Sequence, residues 1–171
     1  MKPKLWTPLS PLVLALAALV FGLDQTHKWW MINVYGIEAK APVPLTSFFE
    51  LVMVWNRGVS YGLLTTHTQE LLIGMSLAIT AMLWIWACRM DRVLGAAALA
   101  LIIGGALANA LDRAIRGAVA DFFHFHYGNF SWYVFNIADV AIVAGVALLL
   151  YESVFDGAPE DRRGKAGFSG E

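Results

Sequence analysis

Hydrophobic residues in this chain fall into four long blocks, and polar residues collect between them. Residues 6–23, 71–88 and 93–111 carry no charged side chain. A fourth block, 134–155, is interrupted near its start by Asp139 and near its end by Glu152. Each is close to the ~20 residues that a helix needs to cross a hydrocarbon core ~30 Å thick. Lipid offers no partners to backbone N–H and C=O groups, so a helix, which bonds its own backbone, is the expected solution for each block. The pattern predicts an all-α membrane protein, a four-helix transmembrane bundle with helices over about 6–28, 69–89, 92–114 and 134–155. Residues 1–155 then form one domain, and 156–171, rich in Gly and charge, a disordered cytoplasmic tail.

Two segments between the blocks are longer than turns, roughly 29–70 and 114–133. In the first, "APVPL" (41–45) breaks helix, and "FFELVMVWNRGVSYGLL" (48–64) is rich in β-branched and aromatic residues punctuated by Gly58 and Gly62. This predicts a small extracytoplasmic β-rich element lying on the membrane surface. In the second, "HFHYGNFSWYVF" (124–135) is crowded with aromatic rings, of which Trp and Tyr favour the headgroup level. It is expected to be an interfacial loop.

Composition agrees with a membrane chain. Of 171 residues, 58% are hydrophobic and 15% charged, and the mean hydropathy is +0.61. A soluble domain carries about 45–50% apolar and about 25% charged residues. The net charge of −1 and the lack of a Lys/Arg block argue against a nucleic-acid partner. The single Cys88 excludes an internal disulfide and a Cys-based zinc site. Lys2 and Lys4 precede the first block as in a secretory signal, but no A-x-A site follows and the block runs directly into Asp24-Gln25. The first block is therefore expected to stay as a helix. Four spans put both termini on one side, together with Arg89 and Arg92 in the tight turn between the second and third blocks. Positive charge in so short a turn assigns that side to the cytoplasm.

Charge reaches the helices mainly at their other ends. Asp24 and Lys28 are spaced i, i+4 at the end of the first helix. Asn109, Asp112, Arg113 and Arg116 end the third on one face, and Asn136 and Asp139 (i, i+3) open the fourth. Asp121 follows the third helix, and Asn56 and Arg57 lie in the first long segment. Intramembrane charges are costly, about 2.5–3.5 kcal/mol at the centre and less near the interface, and they face the bundle interior and pair. Pairs such as Asp24–Lys28 and Asp112 with Arg113 or Arg116 could simply lock the bundle. That purely structural reading leaves Asp121 and Asp139 over.

Two carboxylates in one cleft have a chemical use. At ~4 Å and an effective dielectric of ~20 they would repel by about 4 kcal/mol, or roughly 3 pKa units. One stays ionised and can take a proton from water. The other holds a proton, polarises the attacked carbonyl and then serves the leaving nitrogen. Such a pair titrates as a unit, so neither acid has its role set by sequence. Spacing alone does not bring Asp121 and Asp139 together.

Four stretches, in order along the chain, resemble the bacterial lipoprotein signal peptidases, the signal peptidase II family. They are "DQTHK" (24–28), "NRGVSYG" (56–62), "GGALANALDRAIRGAVADFF" (104–123) and "FNIADVAI" (135–142). D-Q-x-x-K alone is weak, whereas N-x-x-D-R, V-x-D-F and F-N-x-A-D together are specific. The resemblance implies a four-helix inner-membrane aspartic peptidase that cleaves the signal peptide from diacylglyceryl-modified prolipoproteins just before the lipidated Cys. It implies that Asp121 and Asp139 are the catalytic pair. Asn56, Gly58, Asn109, Asp112, Arg113 and Asn136 match positions expected to orient the acids and the substrate, and Arg116 is grouped with them by its place on the third helix. Asp24 and Lys28 match a supporting box. The implied protein is a monomer in contact with membrane lipid, multi-pass with both termini cytoplasmic, its site near the extracytoplasmic surface, using no cofactor and no metal. Ala108, Tyr61 and Val140 depart from the family's usual residues without removing a group the chemistry needs. The segment 29–70 is expected to form a lid.

A small transporter or channel is the rival reading, but it would be expected to carry acids at several depths or a broken helix at mid-membrane. A metallopeptidase would want H-E-x-x-H, and no His here precedes Glu. His124 and His126, spaced i, i+2, read as part of a polar interfacial loop, as do His27 and His67. Ser60 in "GVSYG" matches G-x-S-x-G but lacks the strand-to-helix elbow that motif requires.

Overall fold

The computed structural model describes residues 5–40, 42–58 and 68–155. Ser60, Tyr61, Gly62, His67 and the tail 156–171, all named above, lie outside the described residues, as do residue 41 and the stretch 59–67 of the expected lid. Four helices dominate: α1 (Ser10–Trp29), α2 (Thr68–Ala87), α3 (Val93–Arg116) and α4 (Ile137–Phe155). All four helical spans are long and apolar enough to cross a membrane. The chain after α1 makes one π-helical turn, Trp30–Val34, and a short 3-10 turn, Ile37–Ala39.

α3 is the central helix. In its most apolar stretch 67% of residues are buried, against 28% for α1, 22% for α4 and 6% for α2. It packs against each of the other three. Lipid supplies no hydrophobic drive between helices, so close backbone approach by small residues does the work. A Cβ on Gly104 would lie 2.6 Å from the Ala17 carbonyl oxygen on α1, and one on Gly105 would lie 2.5 Å from that of Ala138 on α4. These neighbouring glycines let α1 and α4 reach α3, the Gly105 contact lying beside the polar cluster at Asp139. Deeper in the bundle, Val13, Ala17, Ala96, Leu99, Ala100 and Ile103 form an apolar core.

Four strands make one antiparallel sheet in the order β1 (Val43–Pro44), β2 (Phe49–Asn56), β3 (Val119–Tyr127) and β4 (Phe130–Ser131). Val54 pairs with Asp121 and Asn56 with Val119; one extra residue is accommodated on β2 between Leu51 and Val54. Met31, Ile37, Ala120 and Phe122 form a second core beneath the sheet.

The expected small sheet is present, but the segment expected as an interfacial loop is half of it. Residues 119–127 are its longest strand. The aromatic run suggests headgroup anchorage, yet aromatic residues are also strand formers, and Phe123 and Phe125 each pack between Phe49 of β2 and Phe135. The helix ends also differ slightly from expectation. α3 runs to Arg116, where Gly117 in the left-handed region (φ 71°) donates its N–H to the Arg113 carbonyl and turns the chain into β3.

Candidate active site

The polar residues predicted from sequence converge where the sheet meets the ends of α1, α3 and α4. Asp24, Lys28, Asp112 and Asn136 are each 0% exposed, Asp121 1% and Asn109 7%. Groups buried this deeply must be paired, and they are.

Lys28 forms the base. Its Nζ lies 2.8 Å from Asp24 Oδ2, one helical turn back, and 2.8 Å from Asp112 Oδ2 on α3, and it donates to Asn109 Oδ1 at 3.1 Å. An ammonium has three protons and here meets three acceptors. The two acids extend the network. Asp24 Oδ1 accepts the Ala138 N–H (2.9 Å), one of the orphan donors of the first turn of α4. Asp112 accepts from Arg116, from Gln25 Nε2 (3.1 Å) and from the Ala120 N–H on β3 (3.3 Å). Asp112 thus ties three elements together.

The two remaining acids sit on top of this base. Phe123 and Phe135 exchange backbone hydrogen bonds at 2.9 and 3.0 Å, which brings the start of α4 alongside β3 and delivers Asn136 to Asp121. Asn136 Nδ2 donates to Asp121 Oδ1 at 2.6 Å. The other oxygen of Asp121 accepts from Asn56 Nδ2 at 3.0 Å. Asn56 is aimed by the turn that follows β2, because its Oδ1 accepts the Gly58 N–H at 2.8 Å, which leaves its amide protons for the acid. Gly58 has φ +82°, and a Cβ there would meet Leu72 at 2.6 Å and Arg113 Nη2 at 3.6 Å.

Asp139 is held from two sides. Its Oδ2 accepts the Asn136 backbone N–H (3.1 Å), while Asn136 Oδ1 accepts the Asp139 N–H (3.0 Å). This is a reciprocal capping box at the start of α4. Its Oδ1 accepts from Asn109 Nδ2 at 2.9 Å. Asn109 Oδ1 in turn receives Lys28 and Asn136 Nδ2 (3.2 Å), so the Lys28 charge acts on Asp139 through one amide. Arg113 sends Nη1 to the Asn109 carbonyl (3.3 Å) and lies within electrostatic reach of Asp139, Asp121 and Asp112.

Burial raises the Asp121 carboxyl from the ordinary 3.8 to about 6; the hydrogen bonds from Asn56 and Asn136 oppose the rise, and the charge of Asp139 adds to it. Each acid borders a cavity. Asp139 opens onto one of about 340 Å³ whose walls include Trp132, Val140 and Val143; Asp121 opens onto one of about 420 Å³ bordered by Trp55, Asn56 and Arg57. Tyr133 lines both cavities.

All eleven residues expected at the site are in this network or border it. Three features were missed. Gln25 was read as part of a weak motif, but its amide bridges Asp24, Asp112 and the Ala108 carbonyl. The capping role of Asn136 was legible as N-x-x-D before an apolar run. On the sheet, His124 joins Glu50 Oε1 and Ser131 Oγ, both at 2.7 Å, clipping three strands together. His126 stacks beside it at 5.5 Å, and His27 packs on Phe122 and Phe123. Cys88 is buried, 3.8 Å from Ser10 Oγ at the opposite end of the bundle.

Residues 16–155 match the family model described as Signal peptidase (SPase) II. The lipoprotein signal peptidase of Methylocella silvestris is 52% identical over 163 residues, 92% of this chain and 95% of that one. That of Beijerinckia indica subsp. indica is 50% identical over 150 residues, 85% and 90% of the two chains. A solved structure of a bacterial membrane enzyme superposes with a TM-score of 0.75 over 90% of this chain and 94% of its own; at 22% identity it speaks to the fold. With the fold, the family model and close relatives in agreement, this integral membrane chain belongs to the signal peptidase II family and is a peptidase.

Proposed function

We propose that this protein removes the signal peptide from prolipoproteins by aspartic chemistry, cutting just before the diacylglyceryl-modified Cys, with Asp121 and Asp139 as the catalytic pair. The observation that carries the reading is that both acids bond to one residue, Asn136, and both border open cavities. The ionised acid takes a proton from a water as its oxygen attacks the scissile carbonyl. The protonated acid donates a hydrogen bond to that carbonyl oxygen. On collapse, the C–N bond breaks and a proton passes to the leaving nitrogen. A carboxyl with its pKa near 6, as at Asp121, suits an exchange of protons near neutrality.

The surrounding groups hold this arrangement. Asn56 and Asn136 fix the Asp121 oxygens, Asn109 relays the Lys28 charge to Asp139, and Arg113 is placed to meet the substrate backbone. Asp24, Lys28, Asp112 and Arg116 hold the three helix ends in register. The substrate is itself a membrane anchor, so its scissile bond lies near the headgroups. The acids at the helix ends meet it there, on the extracytoplasmic side, with both termini cytoplasmic, membrane lipid at the flanks and one chain sufficient for the site.

The test uses purified Asp121→Asn and Asp139→Asn with a lipidated prolipoprotein. Both variants should fold with wild-type helicity, and neither should yield the shorter product. Cleavage by either folded variant would remove that acid from the mechanism.

A further inference from the structure

A second polar site lies at the end of the bundle away from Asp121 and Asp139. Glu152, near the end of α4, is 9% exposed, and its Oε1 has no hydrogen-bond partner among the described residues. Room is made for it on α3: a Cβ at Gly95 would lie 3.2 Å from Glu152 Cδ, so only glycine leaves the carboxyl its place. A buried acid on a membrane helix is expensive and is expected to have a partner or a use. Glu152 lines a cavity of about 680 Å³ together with Trp86, Arg89, Asp91, Arg92 and Leu150. Arg89, Asp91 and Arg92 are exposed in the α2–α3 turn, and Trp86 and Leu150 are 47% and 62% exposed on helix flanks that cross the membrane.

We propose that this cavity is a binding site for an aminophospholipid, a phosphatidylethanolamine-type lipid. Two arginines beside two acids match a zwitterion rather than a plain anion. The ammonium goes to the Glu152 carboxyl, which reaches the lipid from the buried side. The phosphate goes to Arg89 and Arg92, as guanidinium groups favour. The acyl chains lie along Trp86 and Leu150, where an indole suits the boundary between chain and headgroup. A primary ammonium offers three N–H donors to a carboxylate; a choline headgroup offers none, and a glycerol headgroup brings no positive charge. The pocket therefore selects its lipid by headgroup, and it does so remote from the peptidase site.

The protein is purified whole, delipidated in mild detergent and titrated with short-chain phosphatidylethanolamine, phosphatidylcholine or phosphatidylglycerol. Thermal melting and native mass spectrometry report binding. Phosphatidylethanolamine should be retained and should raise the melting temperature more than the other two lipids. Glu152→Gln, which keeps the shape and removes the charge, should weaken that lipid about tenfold, as expected for one charge-assisted hydrogen bond, and should abolish the headgroup preference. Arg89→Gln, on the exposed turn, should weaken phosphatidylethanolamine and phosphatidylglycerol alike, and it stands as the test if Glu152→Gln is not recovered folded. Equal retention of the three lipids by the wild type, or unchanged preference in the folded variants, would overturn the proposal.

Discussion

Asn136 and Asp139 bond to each other twice, each side chain accepting the other's backbone N–H. The pairing starts α4 and at the same time points the Asp139 carboxylate at Asn109. One residue is thus a helix cap and, through its amide on Asp121, the link between the two acids. The two roles separate by substitution. Serine is a good cap but too short to reach Asp121; alanine does neither. Asn136→Ser and Asn136→Ala should both lose at least ~100-fold in cleavage, on the scale of a misplaced general acid or base. Only Asn136→Ala should also lose the cap, about 1 kcal/mol more of stability. Melting curves beside single-turnover cleavage of a lipidated substrate separate the two effects.

The raised carboxyl of Asp121 makes stability depend on pH with a sign opposite to that of an ordinary salt-bridged acid. Its folded pKa, about 6, lies above the 3.8 of an unperturbed Asp, so the folded protein binds the proton more tightly than the unfolded chain. The contribution is fully present below pH 3.8 and is lost as pH rises through about 6. Its ceiling is about 3 kcal/mol. Between pH 5 and 7.5 the stability that Asp121 contributes should fall, read as the wild type minus Asp121→Asn so that the other titrating groups cancel. Asp121→Asn carries no such proton and should show a flatter profile and a higher melting temperature at pH 7.5. A difference between wild type and Asp121→Asn that stays flat or rises across that window would contradict the burial argument.

Much of this site is legible in the chain because membranes penalise charge. Asp121 and Asp139 stand out as acids left over once nearby cations are matched, and the four helices follow from uninterrupted apolar blocks. Their meeting is not legible that way. It depends on Phe123 pairing with Phe135, a backbone contact that aromatic composition does not encode. The same composition concealed β3, since Trp and Tyr suit a headgroup layer and a strand alike. Lys28 reads from sequence as a partner of Asp24 one turn away, but its second acid and Asn109 come from α3, across the bundle.

Lys28 should be among the least replaceable residues outside the acid pair. It is fully buried and pairs with Asp24 and Asp112 at once, while Arg116 supplies Asp112 with a second cation. Removing one partner from a buried ion network leaves uncompensated charge and typically costs about 3–5 kcal/mol. Lys28→Met should therefore melt far below the wild type. Lys28→Arg should not restore activity, because a planar fork cannot reproduce three contacts converging on one nitrogen. Adding Asp24→Asn to Lys28→Met removes the acid left without a cation, since Asp112 keeps Arg116, and should recover part of the stability but none of the cleavage. Full stability of Lys28→Met would mean that the two acids are neutral without it.

Gly58 offers a way to disturb Asp121 without touching it. Its N–H orients Asn56, whose amide holds the acid, and its φ of +82° is poorly suited to any residue with a side chain. Gly58→Ala introduces two separate penalties. One is backbone strain of roughly 1–2 kcal/mol; the other is a clash with Leu72, where the new Cβ would lie 2.6 Å from Cδ1. Cleavage should fall about tenfold as Asn56 loses its aim, the loss expected from misplacing a positioning group. Leu72→Ala in the same chain relieves the clash and leaves the strain. The double variant should therefore regain stability relative to Gly58→Ala while cleavage stays low, a coupling that a double-mutant cycle reads directly. If the double variant recovers full cleavage, packing against Leu72, and not the turn that aims Asn56, is what Gly58 provides.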